Sequence, residues 1–142
     1  MKQLSKLQSV VFLAGGIMMV AGAGMFVFGI PQAASWIFLL GAIAFAAMQM
    51  QQCYDGGSFV IRRLRRIMLL ADVCFVFAGV LMVENAYNFF LPLFIDHLDN
   101  GMNAYIIYVM GKWVVFLLIA AVLEVYATHR ISNELDKENN CQ

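Results

Sequence analysis

The sequence predicts an all-α membrane protein, a four-transmembrane-helix bundle with both chain ends on the cytoplasmic side. Three observations carry that expectation. Of 142 residues, 63% are hydrophobic and 13% charged, whereas a soluble domain holds roughly 45–50% apolar and about 25% charged residues. Four apolar runs approach or exceed the roughly 20 residues that a helix needs to cross the hydrocarbon core. Basic residues, finally, crowd into alternate connections between those runs. A chain this short has too little interior to hide so much apolar surface from water. The composition therefore excludes a soluble enzyme, a disordered tail and a nucleic-acid binder with a broad basic face.

The first span covers residues 9–29 and holds no charge. Lys2 and Lys6 ahead of it, with Ala21-Gly22-Ala23 inside it, resemble a signal peptide and its small-residue cleavage site. The run continues through Met25, Phe26, Val27 and Phe28 to Gly29, which is full spanning length, so a retained helix is expected. Pro31 ends it, and the second span occupies residues 33–50. The third covers 67–87 and the fourth 104–127, ahead of a short polar tail at 129–142 that is expected to continue the helix to Leu135 and then dissolve. Backbone polar groups must pair internally in lipid, which makes helices the expected form of all four.

Orientation follows from charge. Lys2, Lys6, Arg62, Arg63, Arg65, Arg66, Arg130 and Lys137 fall on one side of the four spans, and none falls on the other. That side is expected to be cytoplasmic. So strong a bias argues against a dual-topology transporter. Tyr54 and Tyr126 at the inner ends, with Trp36, Tyr87, Tyr105 and Tyr108 at the outer ends, fit two interfacial aromatic belts.

Several features carry no specific chemistry. Leu13-Ala14 and Ala21-Gly22 match Leu70-Ala71 and Ala78-Gly79 at a constant offset, a pattern that chance explains in so biased a composition. Cys53, Cys74 and Cys141 form no CxxC motif and none lies in an outer segment, which excludes a disulfide-generating oxidase. The segment from Asn88 to Ile95 reads as interfacial and interrupted by Pro92. Asp96, His97 and Asp99 after it match neither an EF-hand nor a zinc site and read as a solvated turn. His97 and His129 stand at opposite ends of the bundle and cannot share a haem.

Three groups of residues are candidate sites. Gln49, Asp72, Glu84, Lys112 and Glu124 form an intramembrane polar set. Charges at such depth are costly in lipid and mark functional sites by default. Gln49, Asp72 and Glu124 are expected at matching depth, lining a cytoplasm-facing polar pocket or a structural hydrogen-bonded cluster, with Gln49 or one of the arginines reaching inward as the partner of Asp72; Lys112 is expected to find Glu84. Arg62, Arg63, Arg65 and Arg66 form a juxtamembrane cluster suited to anionic lipid head groups. Gly15, Gly22 and Gly29 recur at heptad spacing on the first span and offer a helix-packing interface, either inside the bundle or toward a partner.

Met48-Gln49-Met50, Arg62-Arg63-Leu64-Arg65-Arg66-Ile67 and Glu124-Val125-Tyr126-Ala127-Thr128-His129-Arg130-Ile131-Ser132 carry a resemblance. The chain resembles small uncharacterised four-helix inner-membrane proteins of bacteria over essentially its whole length. The resemblance implies topology and brings no activity. No nucleophile sits near a base, and no metal cluster or phosphate loop is present in the sequence. The expected function is therefore that of a non-enzymatic accessory, scaffold or assembly partner in the inner membrane, without cofactor or metal. Its expected partners are the lipid bilayer, anionic lipid head groups, and a second copy or another membrane protein, but not nucleic acid. The alternative is a small oligomeric transporter or channel using Asp72, Glu124 and Lys112.

Overall fold

The computed structural model describes residues 5–52 and 56–141. Lys2, Cys53 and Tyr54, singled out above, lie outside the described residues. Regular structure among the described residues is helical throughout: α1 Lys6–Val27, α2 Pro31–Gln51, α3 Phe59–Tyr87, α4 Leu91–His97, α5 Gly101–Tyr108 and α6 Trp113–Asn140. Four of these elements are long and apolar enough to cross a membrane: α1, α2, α3 and the segment formed by α5 and α6.

Local chemistry sets the helix ends. Ser5 and Gln8 form a capping box on α1, with Gln8 N–H donating to Ser5 Oγ at 3.3 Å and Ser5 N–H to Gln8 Oε1 at 2.9 Å. Gly29 turns the chain with φ +94°, and Pro31 then opens α2, where its missing N–H leaves no bond unmade. α3 starts at Phe59 rather than residue 67, because the four arginines are good helix formers and continue the span backward. It ends where Asn88 takes left-handed backbone angles, φ 53° and ψ 39°.

Two expectations about the last third of the chain need correction. The fourth span was expected as one helix over 104–127, but residues 109–112 form a turn between α5 and α6, with Gly111 at φ +73°. The polar tail was expected to dissolve after Leu135, yet α6 remains helical to Asn140. Glu and Lys favour helix there, and a Lys137–Glu134 pair at 3.0 Å spans one turn. Pro92 starts the short helix α4 rather than breaking it. α4 and α5 fold tightly on each other at Gly101, where any Cβ would strike the Phe94 carbonyl oxygen.

The long helices neighbour one another in chain order: α1 packs on α2, α2 on α3 and α3 on α6. The ring does not close at the backbone, since no Cα of α1 lies within 8 Å of one in α6. Large side chains fill that gap instead. Phe26 of α1 meets Trp113 of α6 edge-on, with ring centroids 4.9 Å apart. Between them lies a core built from Met19, Phe38, Ala42, Phe75, Ala78 and Met82 with Trp113 and Ala120. A second core joins α3 to α6 nearer the arginines, through Ile61, Leu64, Met68, Ala127 and Ile131. The outward surface is apolar as well, with Leu13, Val20, Leu118, Val122 and Val125 all exposed.

Candidate functional site

Gln49, Asp72 and Glu124 come from α2, α3 and α6 in the half of the molecule nearer the arginines, the first two buried and Glu124 half-buried. Gln49 and Asp72 are each only 3% exposed. Gln49 Nε2 donates to both carboxylate oxygens of Glu124, at 3.0 and 3.2 Å. Asp72 lies close enough to Glu124 for the two charges to interact. Both of its oxygens are buried without a hydrogen-bond partner, and so is Gln49 Oε1. No ion pair reaches either carboxylate among the described residues. The cluster is therefore rich in acceptors and poor in donors. It can take up a proton, a cation or an external donor, and it has no base–nucleophile pair with which to do covalent chemistry.

Asp72 also borders an elongated cleft of about 550 Å³ between α2 and α3. Ala46 and Met50 form one wall, and the α3 face that runs from Leu69 to Val80 forms the other. The lining is almost wholly apolar, so Asp72 is its one ionisable member.

Glu84 belongs to a separate, satisfied knot at the opposite end of α3. It is fully buried and accepts from Tyr105 Oη at 2.8 Å and from Phe90 N–H at 3.1 Å. Tyr105 Oη also lies 2.9 Å from the Asn88 side-chain amide. The hydroxyl has a single proton, which it can donate to either of two acceptors, Glu84 Oε1 or Asn88 Oδ1. The knot ties the end of α3 to the start of α4 and to the middle of α5. Nearby, Trp36 Nε1 donates to Tyr87 Oη at 3.2 Å, linking α2 to α3.

The expected Lys112–Glu84 pairing is not formed. Lys112 sits at the N-cap of α6, just after the turn that separates it from α5, and Glu84 draws its donors from Tyr105 and Phe90. Arg62, Arg63 and Arg66 are exposed and Arg65 half-buried on the first turns of α3. Gly15 and Gly22 face α2: a Cβ on Gly22 would come within 2.8 Å of Phe38 N, and one on Gly15 within 3.0 Å of Gly41 O. Gly29 does not share that seam. It is exposed, has nothing within 4 Å of a Cβ position, and serves the turn instead, because the helix ends before heptad spacing brings it round.

Tyr105 was read as a belt residue, and its role as donor to a buried carboxylate was missed. The signal was available, since an apolar stretch containing Glu84 demands a donor from somewhere nearby in space. Asn85 Oδ1 is a further buried, unpartnered acceptor on α3 that the sequence reading passed over. Among the described residues no three His, Cys, Asp or Glu side chains are grouped to hold a metal ion. His97 donates from Nδ1 to the Leu93 carbonyl at 3.0 Å. No protein-family model, curated protein or solved structure matches the chain.

Proposed function

We propose that the chain is an integral protein of the bacterial inner membrane, with both ends cytoplasmic, that works as an assembly partner for another membrane protein rather than as an enzyme. Its exposed apolar surface suits lipid, and the grouping of Lys6, Arg62, Arg63, Arg65, Arg66, Arg130 and Lys137 at one end supports the orientation. The observation that carries the assembly role is Asp72, a buried carboxylate to which the chain supplies no donor. Such a group is expensive in hydrocarbon, and a second molecule that brings a donor relieves it. Purification from native membranes in mild detergent should recover a stoichiometric partner with the wild-type chain. Recovery of the chain alone from every extract overturns this reading.

A transport role draws support from the same cluster, because two carboxylates without a cation form a natural stop for a proton or metal ion. The apolar core of Phe38, Phe75, Ala78, Met82 and Trp113 argues against it, lying between that cluster and Glu84. Proton or cation flux by reconstituted protein, abolished in Asp72→Asn, would establish transport in place of assembly.

A further inference from the structure

We infer that the α2–α3 cleft is a docking groove for a transmembrane helix of another protein, one that carries a lysine or arginine at the depth of Asp72. This rests on the assembly reading above and names the chemistry of the partner. Leu69, Asp72, Val73, Val76, Phe77 and Val80 line one wall. Their positions recur as i, i+3, i+4, i+7, i+8 and i+11, a single helical face about 17 Å long. A groove that follows one helix over three turns matches the shape of another helix laid along it. On the opposite wall Ala46 allows close backbone approach, and Met50 adapts to what it meets.

The charge of the occupant follows from Asp72. Both of its oxygens are buried and unpartnered just beneath the apolar wall that the residue helps to line, and a rotation of its side chain would bring them to the cleft. The residue lies about 8 Å into the apolar stretch that begins at Ile67, too deep for water to solvate it freely. A basic side chain on the incoming helix would neutralise and hydrogen-bond the carboxylate at once. A second copy of this chain fits poorly. Two-fold pairing along the cleft would set Asp72 against Asp72, acceptor against acceptor. The basic residues of the chain lie elsewhere: Arg62, Arg63, Arg65 and Arg66 on the first turns of α3, and Lys112 at the N-cap of α6.

The test places the full chain in lipid vesicles with a synthetic leucine–alanine transmembrane peptide of roughly 23 residues. One form carries a single lysine at the depth of Asp72, and the other has leucine there. Energy transfer between labels on chain and peptide reads association. The lysine peptide should bind about tenfold more tightly than the leucine peptide. That preference should vanish in Asp72→Leu, a variant that removes an unpartnered buried charge and so folds at least as well as the parent. Val76→Trp, which fills the cleft, should block both peptides. Equal binding of the two peptides, or an unchanged preference in Asp72→Leu, overturns the inference. So does self-association of labelled chains that competes with the lysine peptide and depends on Asp72. In native membranes, a photo-crosslinker at Phe77 should capture a segment with a basic residue opposite Asp72. Capture of a partner segment that lacks one overturns this inference while leaving the assembly reading intact. That reading is overturned separately, by the absence of any stoichiometric partner in mild detergent.

Discussion

Gly22→Ala is expected to destabilise the protein although it adds one methyl group and improves helix propensity. In the native seam, a Cβ at this position would stand 2.8 Å from Phe38 N, 2.9 Å from Ala34 O and 2.9 Å from Phe38 Cβ. Two of these are backbone atoms, so no side-chain rotation can clear them, and α1 must move away from α2. Restoring ordinary contact at 3.4 Å requires a displacement of about 0.6 Å. A gap of that size forfeits about a quarter of each dispersion well, with wells of about 0.15 kcal/mol per atom pair. Over a seam with on the order of 40 such pairs, the loss is about 1.5 kcal/mol. Gains in helix propensity of about 0.5–1 kcal/mol for Gly→Ala apply equally to Gly24, where a Cβ would meet nothing within 4 Å. Gly24→Ala is therefore the matched control. Unfolding free energies of both variants, measured by steric trapping in bicelles, should place Gly22→Ala about 1–2 kcal/mol below Gly24→Ala. Equal stabilities would refute the argument that glycine serves close approach here.

The other predictions concern the two polar clusters, the arginines and the topology. Tyr105→Phe strips the buried Glu84 carboxylate of one donor and should cost about 1–3 kcal/mol, read as a lower midpoint of thermal unfolding in detergent and faster proteolysis between α4 and α5. Tyr87→Phe, which loses an exposed contact to Trp36, should stay within about 0.5 kcal/mol of the parent and serves as its comparison. Gln49→Leu should destabilise by a similar 1–3 kcal/mol, because Glu124 loses its donor; adding Glu124→Leu should recover most of the loss, and a double-mutant cycle with no coupling would contradict the pairing. Replacing Arg62, Arg63 and Arg66 by glutamine should remove about 1 kcal/mol per side chain of preference for anionic over zwitterionic lipid, as measured by native mass spectrometry of lipid-titrated protein. With Cys141 as the sole remaining cysteine, an impermeant thiol reagent should label intact cells only after permeabilisation; labelling without it would reverse the proposed orientation.

How much of this was legible beforehand differs from element to element. The cores of all four long helices follow from apolar run length, and Pro31 and Gly29 mark the first turn by their own backbone chemistry. The position of Gln49, Asp72 and Glu124 in one half of the molecule follows from counting residues along each run. Helix ends were less legible. The arginines favour helix and so extend α3 back to Phe59, and the same reasoning applies to the Glu- and Lys-bearing end of α6. A hydropathy window cannot separate either from a polar connection.

By itself the sequence determined the helical class, the number of long apolar helices and the concentration of charge at one end. Each of these is set by composition along the chain, because run length and side-chain polarity act locally. Only the tertiary structure decided which polar groups meet. Glu84 turned to Tyr105 and Phe90 rather than Lys112, which follows the turn at Gly111 and stands at the N-cap of α6. Gln49 donated to Glu124, leaving Asp72 without a donor. Pairing depends on where helices lie relative to one another to within about an ångström, the range over which a hydrogen bond is made or lost. No periodicity in a single chain specifies that distance.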